Sequence, residues 1–395
     1  MFNRNLSILL LSQIFSFTAA PITVFLSGII GSSMIDTKFL ATLPIALCVV
    51  GTSLGSIFAS YLMSVKGRKF GFMSATLITS FSTLIASFSI LNNLFILYCL
   101  CNFLIGIGLA FTAQYRFAAA ESVAKDFIPK AISYILFASM IGALLGPNIA
   151  TLTKDYISSN LYVGSYVFLS LLTILPFFFL IFYKNEMTIL ENGKKNKFEG
   201  RDYYALLTQP RFAQAIIGAG IGYACMAFLM NAFPISMHLI DNMSIGKTGF
   251  VIQMHLFGMF IPSLFTGNLV KRYGHSKIMY AGVFVLLICI ACNFINQSFY
   301  NYLFGLMLLG VGWNFLFIAG TSLLIISYKD EEKFKAQGLN DFFVFSTQSL
   351  GAIFAGLLLN LYGWQLINLL CIPFLFIIII FVFIADTKNN IKLKI

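Results

Sequence analysis

The feature that most constrains this chain is the recurrence of apolar runs about 20 residues long, each the length an α-helix needs to cross the hydrocarbon of a bilayer. They fall near 6–30, 39–63, 70–91, 94–119, 131–153, 163–183, 212–235, 248–270, 276–296, 300–326, 338–361 and 364–385. In lipid every backbone N–H and C=O must be satisfied internally, so runs of this kind fold as helices. Composition agrees: 59% of the 395 residues are apolar and 10% are charged, against about 25% charged in soluble domains. Abundant Phe and Gly suit helices that face lipid on one side and pack closely through small residues on the other. The expected fold is an all-α polytopic membrane protein of about twelve transmembrane helices.

The net charge of +11 is not gathered on one soluble module, as nucleic-acid binding requires, so no nucleic-acid partner is expected. The basic residues follow the spans instead. With the N-terminus inside, the inner segments hold Arg4, then Lys66, Arg68 and Lys69, then Lys125 and Lys130. They continue with Lys184, Lys194, Lys195, Lys197, Arg201 and Arg211, with Lys271, Arg272 and Lys277, with Lys329, Lys333 and Lys335, and with Lys388, Lys392 and Lys394. Only Lys38, Lys154 and Lys247 fall outside. The positive-inside rule then puts both termini in the cytoplasm. The opening stretch, Arg4 followed by Leu6–Phe17 and Ala19-Ala20, resembles a signal peptide, but its apolar character continues to Gly31 and it is read as an uncleaved first span.

Seven cysteines, Cys48, Cys99, Cys101, Cys225, Cys289, Cys292 and Cys371, all lie within expected spans. Neither a disulfide framework nor a zinc site is favoured there, and no cofactor or metal is expected. Cys289-x-x-Cys292 is read as helix packing. Neither a Walker A sequence nor an H-E-x-x-H or G-x-S-x-G arrangement occurs, which argues against ATP hydrolysis and against an enzyme. The Lys-heavy basic set and the many Asn and Ile residues fit an AT-rich bacterial genome, so a bacterial inner membrane is the expected location.

The longest polar stretch, 184–211, contains Glu191-Asn-Gly-Lys-Lys-Asn-Lys197 and Arg201-Asp202. It is read as a cytoplasmic linker between residues 1–183 and 212–395, two pseudo-symmetric six-helix bundles. An internal repeat supports the division. After the second span the chain reads Ser60-Tyr-Leu62-Met-Ser64-Val-Lys66-Gly67-Arg68-Lys69, and after the eighth Gly267-Asn-Leu269-Val-Lys271-Arg272-Tyr-Gly274-His275-Ser-Lys277. Leu62 matches Leu269 and Gly67 matches Gly274. At nearly the same displacement Lys130-Ala131 matches Lys335-Ala336, and Gly142-Ala-Leu-Leu-Gly146-Pro147 corresponds to the region of Gly351-Ala352. Gly permits a tight turn between antiparallel spans while Arg and Lys stay at the anionic surface.

These loops resemble the major facilitator superfamily over essentially the whole chain. That family's signature after the second span is G-x-L-a-D-r-x-G-r-k, and Leu62, Gly67, Arg68 and Lys69 match it, as do Gly267, Leu269, Arg272 and Gly274 in the second copy. Ser60 replaces the first glycine, and the acidic position holds Ser64 in one copy and Lys271 in the other. The family's charge relay through that acid therefore does not transfer unchanged. Gly142-x-x-x-Gly146-Pro147 is half of the family's antiporter pattern in the fifth span, with Ala150 and Thr151 in place of its last glycines. A kink that lets helices approach is the plainer reading.

An ionised side chain in hydrocarbon costs roughly 2.5–3.5 kcal/mol at mid-span, so such residues face a cavity or a partner. Arg116, near the end of the fourth span, is expected to anchor a polar or anionic substrate, and Glu121 to act as a gate or proton site; the bland alternative is a snorkelling arginine and a loop acid. Asp341, one turn into the eleventh span, is expected to pair with Arg68 or Lys69, or simply to cap its helix. His255, in the eighth span, is a possible coupling residue or a packing histidine. His275 belongs to the cytoplasmic loop after the eighth span, and His238 lies near the outer end of the seventh. Neutral candidates are Gln13, Asn102, Asn148, Tyr223, Asn231, Trp313, Asn314 and Gln348. The resemblance implies a midplane cavity lined by the first, fourth, seventh and tenth spans, which favours Trp313 and Asn314: a ring to stack a planar substrate and an amide to orient it.

The expected function is secondary transport of a small organic solute by alternating access, coupled to protons, by a monomer in the lipid bilayer. Two alternatives stand beside it: a drug or metabolite efflux antiporter, and a membrane sensor or assembly factor without flux.

Overall fold

The computed structural model describes residues 3–35, 40–157, 161–185 and 200–392. Lys38, Lys194, Lys195, Lys197, Lys394 and the linker residues 186–199 lie outside the described residues. Among the described residues the ordered elements are all helical, with no strand. Ten separate helical stretches match the first ten expected spans, from Arg4–Met34 to Phe299–Ile325. A further stretch, Asp330–Lys388, covers the eleventh and twelfth. It is divided at Gly363, whose φ of +73° breaks the helix where the two spans were expected to meet. The all-helical, multi-span expectation is met.

Two compact units make up the chain. The first comprises Met1–Ala124, Ala138–Glu199 and Gln337–Phe342, and the second Lys125–Phe137, Gly200–Ala336 and Phe343–Ile395. Residues 125–137 and 337–342 are thus grouped opposite to their place in the chain order.

Within the first unit, glycines let the second and fourth spans touch through their backbones. A Cβ at Gly55 would lie 3.0 Å from the Ile107 Cα and 3.1 Å from the Ala110 Cβ. The same holds between the first and fifth spans, where a Cβ at Gly146 would sit 3.0 Å from the Thr18 carbonyl. The half antiporter pattern is therefore a packing surface. Polar side chains bond both across and within helices: the Ser27 hydroxyl donates to Asn102 of the fourth span, whose amide donates to the Tyr98 carbonyl of its own helix. Asn148, also a candidate, donates to its own helix at the Leu144 carbonyl. Large apolar side chains such as Ile96, 76% exposed, and Val24, 67% exposed, point away from the protein and supply the lipid-facing surface.

In the second unit the tenth span packs on the seventh, eighth and ninth. Asn314 ties it to the eighth: its amide donates to the Met259 carbonyl at 2.7 Å and to Ser263 at 2.6 Å, and its oxygen accepts from Thr266 at 2.7 Å. His255 is fixed the same way, its Nδ1 bonded to the Leu306 carbonyl at 2.8 Å.

The repeated loops have matching backbones. Gly67 has φ +83° and ψ 162°, and Gly274 has φ +86° and ψ 161°. Each amide donates 2.9 Å back into the preceding helix, to Met63 and Val270 respectively. A positive φ is what only glycine adopts without penalty, so the repeated turn follows directly from the repeated residue.

Candidate functional site

In the first unit the fourth span is broken at Gln114, dividing Phe95–Ala113 from Tyr115–Glu121. Tyr115 packs edge-on against Phe72 at 4.5 Å, and the small buried residues Ala118, Ala119 and Ala120 bring the helix close enough to its neighbours to seal Arg116 from solvent.

Around that turn two ion pairs form. The Arg68 guanidinium donates to both Glu121 oxygens, at 2.8 and 2.6 Å, and to Gln337 at 2.7 Å; the Gln337 amide returns a bond to Glu121 at 2.9 Å. Arg116 pairs with Asp341, whose side chain is 0% exposed. Asn340 donates to the same carboxylate at 2.9 Å, and Gln114 donates 3.0 Å to its other oxygen and 3.2 Å to Ser60. Asp341 feels the positive charge of both Arg116 and Arg68. Two cations and two anions make the cluster neutral overall, which offsets the cost of burying them.

Two expectations change here. Asp341 takes Arg116 as its salt-bridge partner, while Arg68 pairs with Glu121 and the Lys69 ammonium reaches the Ile181 carbonyl. The Arg116 guanidinium reaches Asp341, while Glu121, at the end of the same helix, takes two nitrogens of Arg68. Arg116 is consequently held by a carboxylate rather than standing as an open anchor for an anionic substrate. Gln114, Gln337 and Asn340 are members of the cluster that sequence reasoning missed. Gln337 and Asp341 stand four residues apart, on one helical face, a signal that was available.

The second unit holds an aromatic cluster. Trp313 stacks on Phe317 with centroids 5.0 Å apart and planes 13° from parallel. Tyr223 meets Trp313 edge-on at 5.2 Å and Phe317 at 5.6 Å, with Phe345 at 6.3 Å. Trp313 is 3% exposed and its indole N–H has no hydrogen-bond partner among the described residues. Asn314, beside it in sequence, is turned to the eighth span and its amide is fully used, because a one-residue step on a helix turns a side chain by about 100°. The expected Trp–Asn pair is therefore split, with only the ring in the aromatic cluster.

The remaining candidates are dispersed. Gln13 is buried and donates 2.8 Å to Ser139 of the fifth span, Asn231 is exposed and donates 2.7 Å to the Ala227 carbonyl, and Gln348 is half-buried.

A third cluster went unread. Arg201 donates to both oxygens of Glu332, from Nε at 2.8 Å and from a terminal nitrogen at 2.7 Å, and its backbone N–H adds a bond at 3.0 Å. Hydrogen bonding to this buried carboxylate holds the Arg201 proton more firmly than usual.

Twelve-span topology, the repeated glycine turns and buried charges inside helices define a polytopic membrane transporter. Comparison with known proteins makes the class specific. Residues 215–394 match the family description Major Facilitator Superfamily, and residues 15–188 match Sugar (and other) transporter. The riboflavin transporter RfnT of Brucella anthropi is 32% identical over 95% of this chain and 94% of its own length. An uncharacterized MFS-type transporter of Bacillus subtilis, YdeG, is 25% identical over 94% of this chain and 91% of its own. Among solved structures, the human organic anion transporter MFSD10 superposes with a TM-score of 0.78 at 13% identity, covering 96% of this chain and 99% of that one. The transporter FucP gives 0.77 at 13% identity, covering 95% and 98%. The chain belongs to the major facilitator superfamily.

Proposed function

We propose that this protein is a secondary transporter of riboflavin or a closely related planar heteroaromatic solute, working by alternating access and coupled to protons. The observation that carries the reading is the aromatic cluster of Trp313, Phe317 and Tyr223 in a chain 32% identical, nearly end to end, to a riboflavin transporter. A flavin ring system is flat, apolar on its faces and rich in acceptors at its edge. Stacked aromatic side chains suit the faces, and a buried indole N–H without a partner suits the edge, since leaving such a donor unpaired costs about 1–3 kcal/mol. Asn231 and Gln348, in the same unit as the aromatic cluster, are assigned to polar groups of the substrate.

The ion pairs are given a different task. Arg116–Asp341 and Arg68–Glu121 act as the gate, released when a proton enters the cluster. Asp341 and Glu121 are the preferred proton carriers. His255, tied to Leu306, ranks behind them. On this reading the acid absent at Ser64 is supplied from the eleventh span, and Lys69 is tied to the end of the sixth. The protein works as a monomer in a bacterial inner membrane, with both termini in the cytoplasm.

The test is complementation of a bacterium that cannot synthesise riboflavin. Expression of this chain should restore growth at micromolar riboflavin, and Trp313→Ala should raise the concentration required. Failure of the membrane-inserted protein to support growth at any level that sustains a known riboflavin importer would refute the assignment.

A further inference from the structure

The Glu332 side chain lies in the connection between the tenth and eleventh spans and is 0% exposed. Besides the three bonds from Arg201, it accepts one from the Lys329 N–H at 3.0 Å. Arg201 in turn spends its other terminal nitrogen on Gln209 at 2.7 Å, and its carbonyl accepts from the Lys335 ammonium at 2.9 Å. Gly200 has φ +88°, and the nearest atoms to a Cβ there would be those of Glu332, so the chain entering the seventh span wraps closely around this carboxylate. An exposed ion pair would be worth little. This one is bidentate, buried on the acidic side and reinforced by two backbone donors, which makes it a rigid fixture.

Its position gives it a consequence. The helix of the eleventh span begins at Lys333, immediately after Glu332. Gln337 follows five residues after Glu332, and Asp341 nine, about 14 Å along the axis at 1.5 Å per residue. No break in the helical backbone intervenes, the non-helical residue being Gly363.

We propose that Arg201 and Glu332 are positioning residues: the end of the central linker grips the start of the eleventh span and thereby sets the register of Gln337 and Asp341 in the buried ion cluster. This rests on reading that cluster as the transport gate. The linker then has a mechanical role, because whatever displaces Arg201 loosens the gate residues one to three helical turns away.

The experiment is hydrogen–deuterium exchange on the full-length protein in lipid nanodiscs, comparing the parent with Glu332→Gln and the milder Arg201→Lys, which keeps the charge and loses the fork. Exchange in residues 337–342 should rise at least fivefold in Glu332→Gln and by less in Arg201→Lys. Faster exchange confined to 329–336, with 337–342 unchanged, would show a local loop fixture and overturn the proposal. Riboflavin uptake supplies the second readout: Glu332→Gln should lower the maximal rate about tenfold with KM within about twofold, and an unchanged maximal rate would also overturn the proposal. If riboflavin is not carried at all, the functional assignment fails while the exchange result still decides the clamp.

Discussion

At the scale of single residues, this chain shows how a signature can lose its defining side chains and keep its geometry. Ser60 stands where the family has glycine, and a Cβ placed on Gly338 of the eleventh span would lie 2.8 Å from the Ser60 Cβ. The glycine needed for close approach is thus on the facing helix. In the second copy the glycine is retained, and a Cβ at Gly267 would sit 2.7 Å from the Pro129 carbonyl. At the acidic position of the second copy, Lys271 meets the exposed Asp126 at 3.5 Å and lies over the Phe127 ring, 4.8 Å from its centroid. Removing one partner of a buried pair strands the other, at a cost of about 3–5 kcal/mol. Asp341→Asn should therefore lower the thermal unfolding temperature in detergent by several degrees. The double replacement Arg116→Met with Asp341→Leu should recover most of that stability, yet remain inactive in uptake; recovery of both would reduce the pair to a structural element. Trp313→Ala should weaken riboflavin binding about three- to tenfold, from the roughly 0.5–1.5 kcal/mol of an aromatic pair, measured by quenching of flavin fluorescence. Trp313→Phe, which keeps an aromatic face and loses the indole N–H, should fall between Trp313→Ala and the parent. Buried charges were legible as site candidates because hydrocarbon penalises them. Their pairing was not, since each pair joins residues far apart in the chain, Arg68 with Glu121 and Arg116 with Asp341.

At the scale of elements, the periodic apolar runs and the repeated glycine turns were enough to place nearly every helix. Gly67 and Gly274 show why: a positive φ is a local demand that one residue type meets. Replacing either by Ala should destabilise the protein by about 1 kcal/mol or more, with the two effects close to additive because the turns share no partner. Thermal unfolding of the single and double variants in detergent would show it, and an unchanged midpoint would deny the turns their structural weight. Asn314 marks the opposite limit. Its position in the tenth span suggested a substrate contact, whereas three hydrogen bonds commit it to the eighth. Asn314→Ala should accordingly lower stability by about 1–3 kcal/mol, the cost of leaving buried partners unmatched, with riboflavin KM in the surviving protein changed less than twofold.

At the scale of the whole molecule, charge distribution and internal repetition carry the account. The linker expected at 184–211 proves to have a structured end, where Gly200 and Arg201 are bound to Glu332. That contact could not be read from sequence because Glu332 sits among charged neighbours, Asp330, Glu331 and Lys333, that look like an ordinary solvated loop. The central claim is that this membrane protein moves a flavin. Purified protein reconstituted into liposomes should accumulate radiolabelled riboflavin, with the initial rate rising severalfold when an inward proton gradient is imposed and collapsing when an ionophore removes it. Riboflavin levels that never exceed those of protein-free liposomes, in either orientation of the gradient, would contradict it.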